Sequence, residues 1–572
     1  MKASATPKAA LPLGVAVPLL LLCLLSISAQ SQTVSTAALI GEIRIINRLN
    51  VFDPRIPGED WWPFRVANKI HFTTRERIIR QELLLGPGDP YDQLKVWESE
   101  RNLRAAGSFR HVEISRAPRP DGRMDLEVRA QDSWTTNPRF SVGTEGGDRF
   151  FSYGIDEGNL FGHNKALSFF HSQNGPKVRN DLRYTDPRLA GSRLRLSTLL
   201  ANTSRGDSIG ADLTRPFFAL DTPFAYGVGW TRINDEDILY RDGEEWSKFQ
   251  DYSRTAMLSA GARLLDSDSL TQRLEAGWIY QRSRFTPTSD TIAGTLPENR
   301  EISGPTLGYS WTQPRYIKET YINGMERVED YNLGNEFSFL GGYAGRHFSS
   351  DRDRVIFNVM DQQGLNLGYG RFALAQVGMA GRTAGGDWEN ALLFTNLDLF
   401  WKSETPLPNT WVAHLEGASV RRMDAENQVV LGGDTGLRGY KNNAFIGARA
   451  VLANVENRFF FPGEYFHLVR FGGAIFFDSG AVVPEGSGLS LARFKSDAGL
   501  GLRVSSTRSR SGGVLRIDLA RALDRGPGPD RWVISIRAGQ AFEIFNSATG
   551  RLRRPPTSRI NSISPPAFPS PR

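Results

Sequence analysis

Apolar and polar residues alternate with a period of two through most of the chain, from about residue 138 to residue 543. In residues 272–280, for example, Leu274, Ala276, Trp278 and Tyr280 alternate with Arg273, Glu275 and Gly277, and residues 514–520 show the same pattern. A period of two is typical of β-strands that have one apolar and one polar face. Strands that turn apolar residues to lipid and charged residues to a water-filled interior give this pattern, so we predict a transmembrane antiparallel β-barrel over residues 138–543.

The number of strands follows only coarsely from the length of this region. Its roughly 405 residues, at about 25 for each strand with its connection, predict about 16 strands. Counting the alternating segments gives nearer 18 to 20 (roughly), because residues 252–285 and 335–370 hold more alternation than 16 strands use. Residues 234–249 and 286–305 are predicted to be long extracellular loops, and residues 146–148 to be a short periplasmic turn.

Residues 38–134 have a mixed pattern that predicts a separate α+β domain. A β-rich segment at residues 40–51 is followed by two predicted helices, the first after Thr73 and Glu76 with capping-box spacing, the second after Asp89 and Pro90. Two short predicted strands, residues 109–116 and 124–130, end the domain.

The two ends of the chain differ from the rest in composition. Residues 1–29 contain Lys2 and Lys8, an apolar run and then small residues before Ala29, which predicts a secretory signal peptide. The single cysteine, Cys23, lies inside that segment, so a mature chain would have neither disulfides nor cysteine metal sites. Residues 544–572 are rich in Arg, Pro and Ser and are predicted to be disordered. The net charge of +7 is spread along the strands, which argues against nucleic-acid binding.

One glycine-rich stretch, residues 432–440, looks like a loop that packs tightly against other backbone. Its members that we single out are Gly432, Gly433, Gly436, Leu437, Arg438, Gly439 and Tyr440. In the next two alternating segments, the parity of the apolar residues turns Glu456 and Asp478 toward the barrel interior. An arginine held by two carboxylates would fix the loop inside the barrel, whereas an exposed surface loop is the alternative.

Leu437-Arg438-Gly439-Tyr440 resembles the VRGY/VRGF signature of the sixth extracellular loop in the superfamily of BamA, TamA and the two-partner-secretion transporters, with Leu in place of the usual Val. Glu456 matches the acidic position of the following strand, and residues 476–480 match the F-x-D-x-G pattern whose Asp pairs with the signature arginine. The element order of residues 38–134 resembles one POTRA domain of the same superfamily. The likeness covers about residues 40–542.

This resemblance implies an assembly or translocation factor of the bacterial outer membrane with its POTRA-like domain in the periplasm. Its expected partners are outer-membrane lipid, unfolded client polypeptides and periplasmic accessory proteins. It implies a weak seam between the first barrel strand, residues 138–144, and the last strand, residues 532–542, which could open sideways. The seam residues that we single out in the last strand are Trp532, Ile534, Ile536, Gly539 and Phe542. The alternatives are a passive porin and a two-partner-type transporter for an unlinked client.

The sequence offers little support for an enzymatic activity. Gly206-Asp207-Ser208 is similar to the nucleophile block of one lipase class, but no Asp-x-x-His follows it. The seven histidines show no metal-ligand spacing. We therefore predict no enzymatic activity, no metal and no cofactor.

Overall fold

The computed structural model describes residues 38–145, 148–174, 177–405, 407–509, 513–527, 532–538 and 558–559. The predicted signal peptide lies outside these residues, as do Gly539, Phe542 and the predicted tail apart from Ser558–Arg559. That pair of residues forms a short strand antiparallel to residues 428–429. Within the described part of the chain, helices are too short or too polar to cross a membrane.

The N-terminal unit is a three-stranded sheet packed against helices. Strands β1 and β3 are parallel, β2 and β3 are antiparallel, and the order β1-β3-β2 leaves β2 at one edge. Its core is a cluster of buried aliphatic residues and one phenylalanine from all these elements except α1. The elements are β1 (Ile40–Leu49), α1 (Trp62–Ile70), α2 (Glu76–Glu82), α3 (Gln93–Ala105), β2 (Phe109–Pro118) and β3 (Met124–Asp132).

Two details of this unit differ from the sequence prediction. Helix α1 was not predicted, because its nine residues begin with Trp62 and Pro63 directly after Trp61, and a Trp-Trp-Pro sequence is more typical of a loop. The predicted caps are also displaced: α2 begins after Arg75 without a side-chain cap, so the Thr73–Glu76 box does not form. Helix α3 begins after Asp92, whose carboxylate accepts hydrogen bonds from the backbone N–H groups of Leu94 and Lys95.

Of the 25 strands that follow in the described chain, 20 form a closed antiparallel barrel, in which the last barrel strand lies beside the first barrel strand. The strands are β4 (Thr136–Glu145), β5 (Asp148–Glu157), β6 (Ala166–Asn174), β7 (Lys177–Asp186), β8 (Arg195–Thr203), β9 (Gly206–Arg215), β10 (Phe224–Arg241), β11 (Glu244–Ser267), β12 (Leu270–Pro287), β13 (Arg300–Thr312), β14 (Tyr316–Glu319), β15 (Glu329–Asn332), β16 (Asn335–Ala344), β17 (Arg354–Gly368), β18 (Arg371–Ala384), β19 (Asp387–Ser403), β20 (Asn409–Arg421), β21 (Gln428–Leu431), β22 (Phe445–Gly447), β23 (Arg449–Phe460), β24 (Val469–Val483), β25 (Lys495–Ser506), β26 (Val514–Ala522), β27 (Trp532–Ala538) and β28 (Ser558–Arg559). The hairpins β14–β15 and β21–β22 and the short β28 lie outside the barrel sheet.

The mainly β fold with a smaller α+β unit is confirmed, but the barrel has 20 strands rather than about 16. The estimate failed because β4 to β9 have only nine or ten residues each. The predicted long loop at residues 234–249 was also wrong. Those residues continue β10 and β11 as a long hairpin, and only Asp242 and Gly243 connect the two strands.

The two ends of the barrel are distinguished by the N-terminal unit. The N–H of Trp134, just before β4, donates to the carbonyl of Arg508 in the β25–β26 connection, at 2.6 Å. We call this the near end. The β4–β5 connection therefore lies at the far end, so its assignment as a turn on the side of the N-terminal unit was wrong. Residues 286–305 include a β12–β13 loop that also lies at the far end.

Outward and inward faces of the barrel strands differ in polarity. Leu258, Ile475 and Leu500 are exposed on the outside, whereas the charged side chains of Arg503 and Asp518 are buried on the inside. An apolar outer surface with a charged interior is the arrangement that lipid outside and a polar lumen favour.

Candidate functional site

The candidate site is built by the β20–β23 connection, residues 422–448, which folds back into the lumen from the far end. Its hairpin β21–β22 and the glycine-rich loop pack on the inner faces of β19, β20 and β23. Leu437 is fully buried there. The buried cluster comprises Leu392, Phe394, Ala418, Val420, Val429, Leu431, Leu437, Tyr440, Ala444, Ala450 and Leu452.

The loop needs glycine at the positions where it turns and where it touches the wall. Gly432 has a φ of 128°, a backbone conformation that residues with a Cβ rarely adopt. Gly439 meets the wall directly, since a Cβ there would lie 2.7 Å from both the Ala522 nitrogen and the Asp497 Cβ. Larger residues at these positions would push the loop away from the strands.

Arg438 is bound by both carboxylates that the sequence singled out. Its Nε and Nη2 donate to the two oxygens of Asp478, each at 2.8 Å, and its Nη1 donates to Glu456 Oε2 at 2.7 Å. All three side chains are buried. A two-pronged arginine–carboxylate pair fixes both the position and the plane of the guanidinium group.

Sequence reasoning missed two further partners of Arg438. The guanidinium carbon lies 3.4 Å from the centre of the Phe476 ring, a cation–π contact. Asp518 Oδ2 on β26 lies 3.6 Å from Arg438 Nη1. Both residues belong to alternating segments, so the alternation of side chains that turns Glu456 inward also turns Phe476 and Asp518 inward. The alternation within one strand does not show which inward residues of different strands come into contact.

The carboxylates of the site also bind arginines of the barrel wall. Glu456 Oε1 accepts from Arg458 Nε at 3.0 Å and from Arg503 Nη2 at 3.3 Å. Arg503 Nη1 donates to Asp518 Oδ1 at 2.5 Å. The buried charges therefore form one network that joins the loop to β23, β24, β25 and β26.

Polar bonds to backbone complete the attachment of the loop. The Tyr440 hydroxyl lies 3.0 Å from the carbonyls of both Ser496 and Asp524. Asn454 Nδ2 donates to the Gly436 carbonyl at 3.0 Å. The loop thus binds the four strands that precede β27.

The predicted seam residues lie apart from this network. Strand β27 is hydrogen bonded to β26 and neighbours β4 in the closed barrel. Trp532 and Ile534 are exposed on its outer face, and Ile536 follows with the same parity. The predicted positions Gly539 and Phe542 lie outside the described residues.

The loop occupies the eighth far-end connection, not the sixth that the resemblance implies. Five barrel strands follow it, β23 to β27. Five strands would also follow the sixth far-end loop of a barrel of about 16 strands, because such loops follow odd-numbered strands. The strands that this barrel has beyond about 16 therefore precede the loop. The number of strands between the loop and the β27–β4 junction is the same as in a barrel of about 16 strands.

A second hairpin fills the near end of the lumen. Residues 313–334 connect β13 with β16 and contain β14 and β15. Tyr331 packs on Phe372 with ring centres 5.0 Å apart, and Arg458 Nη1 donates to the Ile322 carbonyl at 2.7 Å. Ile322, Tyr331 and Leu333 are buried with inward residues of β18, β19 and β20. Arg458 consequently bridges this hairpin and the network around Arg438.

Helix α3 of the N-terminal unit holds the hairpin from outside. Arg104 Nε and Nη2 donate to the two oxygens of Asp330 at 2.8 and 2.7 Å. Lys318 Nζ donates to Glu100 Oε2 at 2.5 Å, and the Arg101 guanidinium lies 3.9 Å from the Tyr316 ring centre. We call these contacts the latch.

One group of residues has the spacing of a metal site. Glu59, Glu464 and His467 bring three possible ligand atoms within 4.8 Å of one another. However, Arg508 Nη2 already binds both carboxylates, at 2.6 Å from Glu59 Oε1 and 3.1 Å from Glu464 Oε2. The arginine supplies the positive charge that a metal would bring.

Comparison with known proteins gives a sequence relative that matches part of the chain. The outer membrane protein assembly factor BamA of Neisseria meningitidis serogroup B is 29% identical over 129 residues, 21% of this chain and 16% of that protein. The chain thus matches well under two thirds of that relative's length. No protein-family profile matches the chain.

Among solved structures, CdiB from Acinetobacter baumannii aligns with a TM-score of 0.44 and 14% identity, over 88% of this chain and 74% of that one. BamA from Haemophilus ducreyi lacking POTRA domains 1–3 aligns with a TM-score of 0.36 and 14% identity, over 88% and 83%.

Proposed function

We propose that this chain, a member of the BamA/TamA-type outer-membrane superfamily, inserts client polypeptides into the outer membrane or exports them across it. The observation that carries the proposal is the arrangement of Arg438, which is buried in the lumen between Glu456 and Asp478. A pore that only conducts solutes has no need of a POTRA-like domain or of an arginine held between two buried carboxylates, so the combination supports an assembly or translocation factor.

The moving part that we propose is the junction of β27 and β4. The loop binds β23 to β26 and stiffens the wall on one side of that junction. Strand β27 has seven described residues and follows this stiffened wall. Opening between β27 and β4 would expose unpaired backbone edges on which a client strand could form.

In this proposal the near end detects the binding of a client polypeptide. Strand β2 is an edge of the N-terminal sheet, and we propose that an extended client segment adds there, as in a POTRA-like domain. The N–H of Ile114 on β2 donates to Glu100 Oε1 at 2.9 Å, and the other oxygen of Glu100 binds Lys318 of the lumen hairpin. A client strand that competes for this N–H would disturb the latch, which couples the edge to the lumen.

Two-partner-type export through the lumen is the second candidate. The hairpin β14–β15 closes the near end, yet the latch is formed by side chains that reach the surface of the N-terminal unit. Release of the latch would clear a path for an extended chain. This route leaves the β27–β4 junction closed, so the two candidates are separable.

The test is disulfide locking of the junction in the full-length protein. Ser535→Cys is combined with cysteine at each position from Arg139 to Gly143, and the pair that crosslinks on oxidation is used. The matched control is Leu182→Cys with Leu200→Cys, which face each other across β7 and β8. Insertion of a barrel client into vesicles is measured before and after reduction.

Locking the junction is expected to abolish insertion reversibly, while the β7–β8 lock leaves it unchanged. Full insertion with the junction locked would contradict lateral opening. If export of an unfolded chain also continued, the lumen route would be favoured. Retained heat-modifiable mobility on gels verifies that both locked proteins are folded.

A further inference from the structure

Helix α1 exposes an apolar face that its own domain does not cover. Trp62, Val66 and Ile70, four residues apart, are 62%, 49% and 63% exposed. On the opposite face Phe64 is buried and stacks on Phe52 with ring centres 4.3 Å apart. Spacing by four residues places the three exposed side chains in one stripe along the helix.

Basic residues lie beside this stripe. Arg65 and Lys69 precede Val66 and Ile70 by one position each and are also exposed. Trp61, at the start of the helix, is exposed too and contacts Trp62 with ring centres 6.3 Å apart. Apolar and tryptophan side chains flanked by Lys and Arg are the composition of helices that lie in a membrane interface.

The helix is held at the near end of the barrel, on both sides of the β27–β4 junction. On one side Phe72 contacts Phe161 of the β5–β6 connection at 5.4 Å, and Asn159 Nδ2 donates to the Phe72 carbonyl at 3.2 Å. On the other side Phe64 lies 6.3 Å from His467 of the β23–β24 connection. In the barrel, these two connections flank the junction.

The parts of the barrel that hold α1 also carry exposed apolar side chains. Ile155 on β5 and Phe161 just beyond it are exposed, and Phe466 is exposed in the β23–β24 connection. Phe161 contacts Phe72, and His467, the neighbour of Phe466, contacts Phe64. Exposed apolar side chains are therefore found on the barrel wall, on these two connections and on the helix that they hold.

We propose that α1 is an interfacial helix that inserts Trp62, Val66 and Ile70 into the periplasmic leaflet of the outer membrane beside the β27–β4 junction. Arg65 and Lys69 would bind lipid phosphates. The ligand class is phospholipid with an anionic or zwitterionic head group. Such a helix anchors the N-terminal unit and disturbs lipid packing where a client would enter. The proposal needs only that the barrel spans a membrane, so it can fail while lateral opening holds, and the reverse.

The test uses single cysteines in full-length protein that carries no other cysteine, placed at Trp62, Val66 or Ile70 and labelled with the fluorophore NBD. The control label is at Arg123, an exposed residue of the turn between β2 and β3. Each protein is reconstituted in nanodiscs of phosphatidylethanolamine and phosphatidylglycerol. Doxyl lipids report contact with the bilayer, and iodide reports contact with water.

Labels at the three helix positions are expected to be quenched by doxyl lipid roughly threefold more than the Arg123 label, and by iodide correspondingly less. A Val66→Glu change in the Ile70-labelled protein is expected to lower doxyl quenching and raise iodide quenching. Free access of iodide to all three positions would overturn the proposal. Protection from both quenchers would also overturn it, because a polypeptide, from a client or a second copy, would then cover the helix.

Discussion

Two ionic clusters of the molecule use similar side chains in different surroundings. In the middle of the lumen lies the cluster of Arg438, Glu456 and Asp478, which we call the Arg438 cluster, and these side chains are 4%, 1% and 0% exposed. At the near end, the latch residues Arg104 and Asp330 are 12% and 17% exposed, and Lys318 is 48% exposed. Both clusters contain an arginine bound to both oxygens of an aspartate.

The difference in burial indicates different roles. Removing one member of a buried ionic network leaves its partners charged and without compensation, which costs far more than breaking a partly exposed pair. The Arg438 cluster is therefore a fixed part of the barrel. The latch can break and reform at a cost that client binding could supply.

The largest expected effect comes from Arg438→Ala. Loss of this guanidinium leaves Glu456, Asp478 and Asp518 sharing fewer positive charges, and we expect the free energy of unfolding to fall by about 3–5 kcal/mol. Heat and urea unfolding of the refolded barrel, followed by gel mobility, measures the change. The control is Arg422→Ala in the same connection, whose exposed ion pair with Asp387 should contribute about 0–1 kcal/mol. Equal stability of the two variants would show that the network is not a stabilising clamp.

This cluster is also the part of the molecule that the sequence predicted best. The parity of apolar residues turns Glu456 and Asp478 inward, since side chains alternate strictly along a strand. The glycines and the single arginine identify a loop that packs against backbone. The partners Phe476 and Asp518 were not predicted, because the pairing of strands, not the pattern within one strand, brings them to Arg438.

The near end was not predictable from periodicity. Hairpin β14–β15 is formed by two four-residue strands, too short for an alternating signal. Its position depends on contacts with α3 more than two hundred residues earlier in the chain, such as Arg104 with Asp330. The predicted number of strands was wrong for a related reason. The estimate used one average length for a strand with its connection, whereas the barrel combines short strands joined by two-residue connections with long hairpins such as β10–β11.

The second prediction concerns pH. It tests whether the contacts of α3 at the near end of the barrel weaken as Glu98 loses its proton. Burial raises the pKa of Glu98 on α3 to about 7, opposed by its hydrogen bond from the Leu220 N–H and by Arg101, while Asp221 raises it further. In the folded protein the pKa of Glu98 lies above its ordinary value of 4.5. Glu98 therefore stabilises the packing of α3 against the β9–β10 connection most at low pH. That contribution is lost as pH rises from about 4.5 to about 7 and is on the order of 3 kcal/mol.

Glu98→Gln should remove this dependence, since an amide does not titrate. Hydrogen exchange of α3 amides at pH 5 and pH 8 measures the effect: the wild type should exchange faster at pH 8 after correction for intrinsic rates, and the variant should show no such change. Glu76→Gln, an exposed glutamate on α2, is the control. A wild-type protein with equal protection at both pH values would disprove the role of Glu98.

A smaller effect is expected from Phe476→Leu, which tests the cation–π contact of the Arg438 cluster. Leucine keeps an apolar side chain beside Arg438 but has no ring for the guanidinium, so we expect a loss of about 1–2 kcal/mol. Phe477→Leu is the matched control, because Phe477 is the next residue and faces lipid. Unfolding by urea compares the two variants. A larger loss at Phe477 would mean that the outer surface, not the cation–π contact, dominates at this strand.

The smallest effect on stability, about 1 kcal/mol, is expected from Arg104→Ala in the latch, because its pair with Asp330 is more exposed to solvent than the pairs of Arg438. The same change should have a clear effect on transport: the hairpin loses its bidentate contact with α3, so planar-bilayer recordings should show more frequent openings than the wild type. Arg80→Ala, which breaks an exposed pair with Glu76 on α2, should leave the recordings unchanged.

The double variant Asp330→Asn with Arg104→Ala should differ little from either single variant, since both substitutions break the same contact. Arg104→Ala could instead destabilise the barrel as strongly as Arg438→Ala while the recordings show no additional channel openings. The latch would then be a second fixed clamp, and the difference in role between the latch and the Arg438 cluster would be disproved.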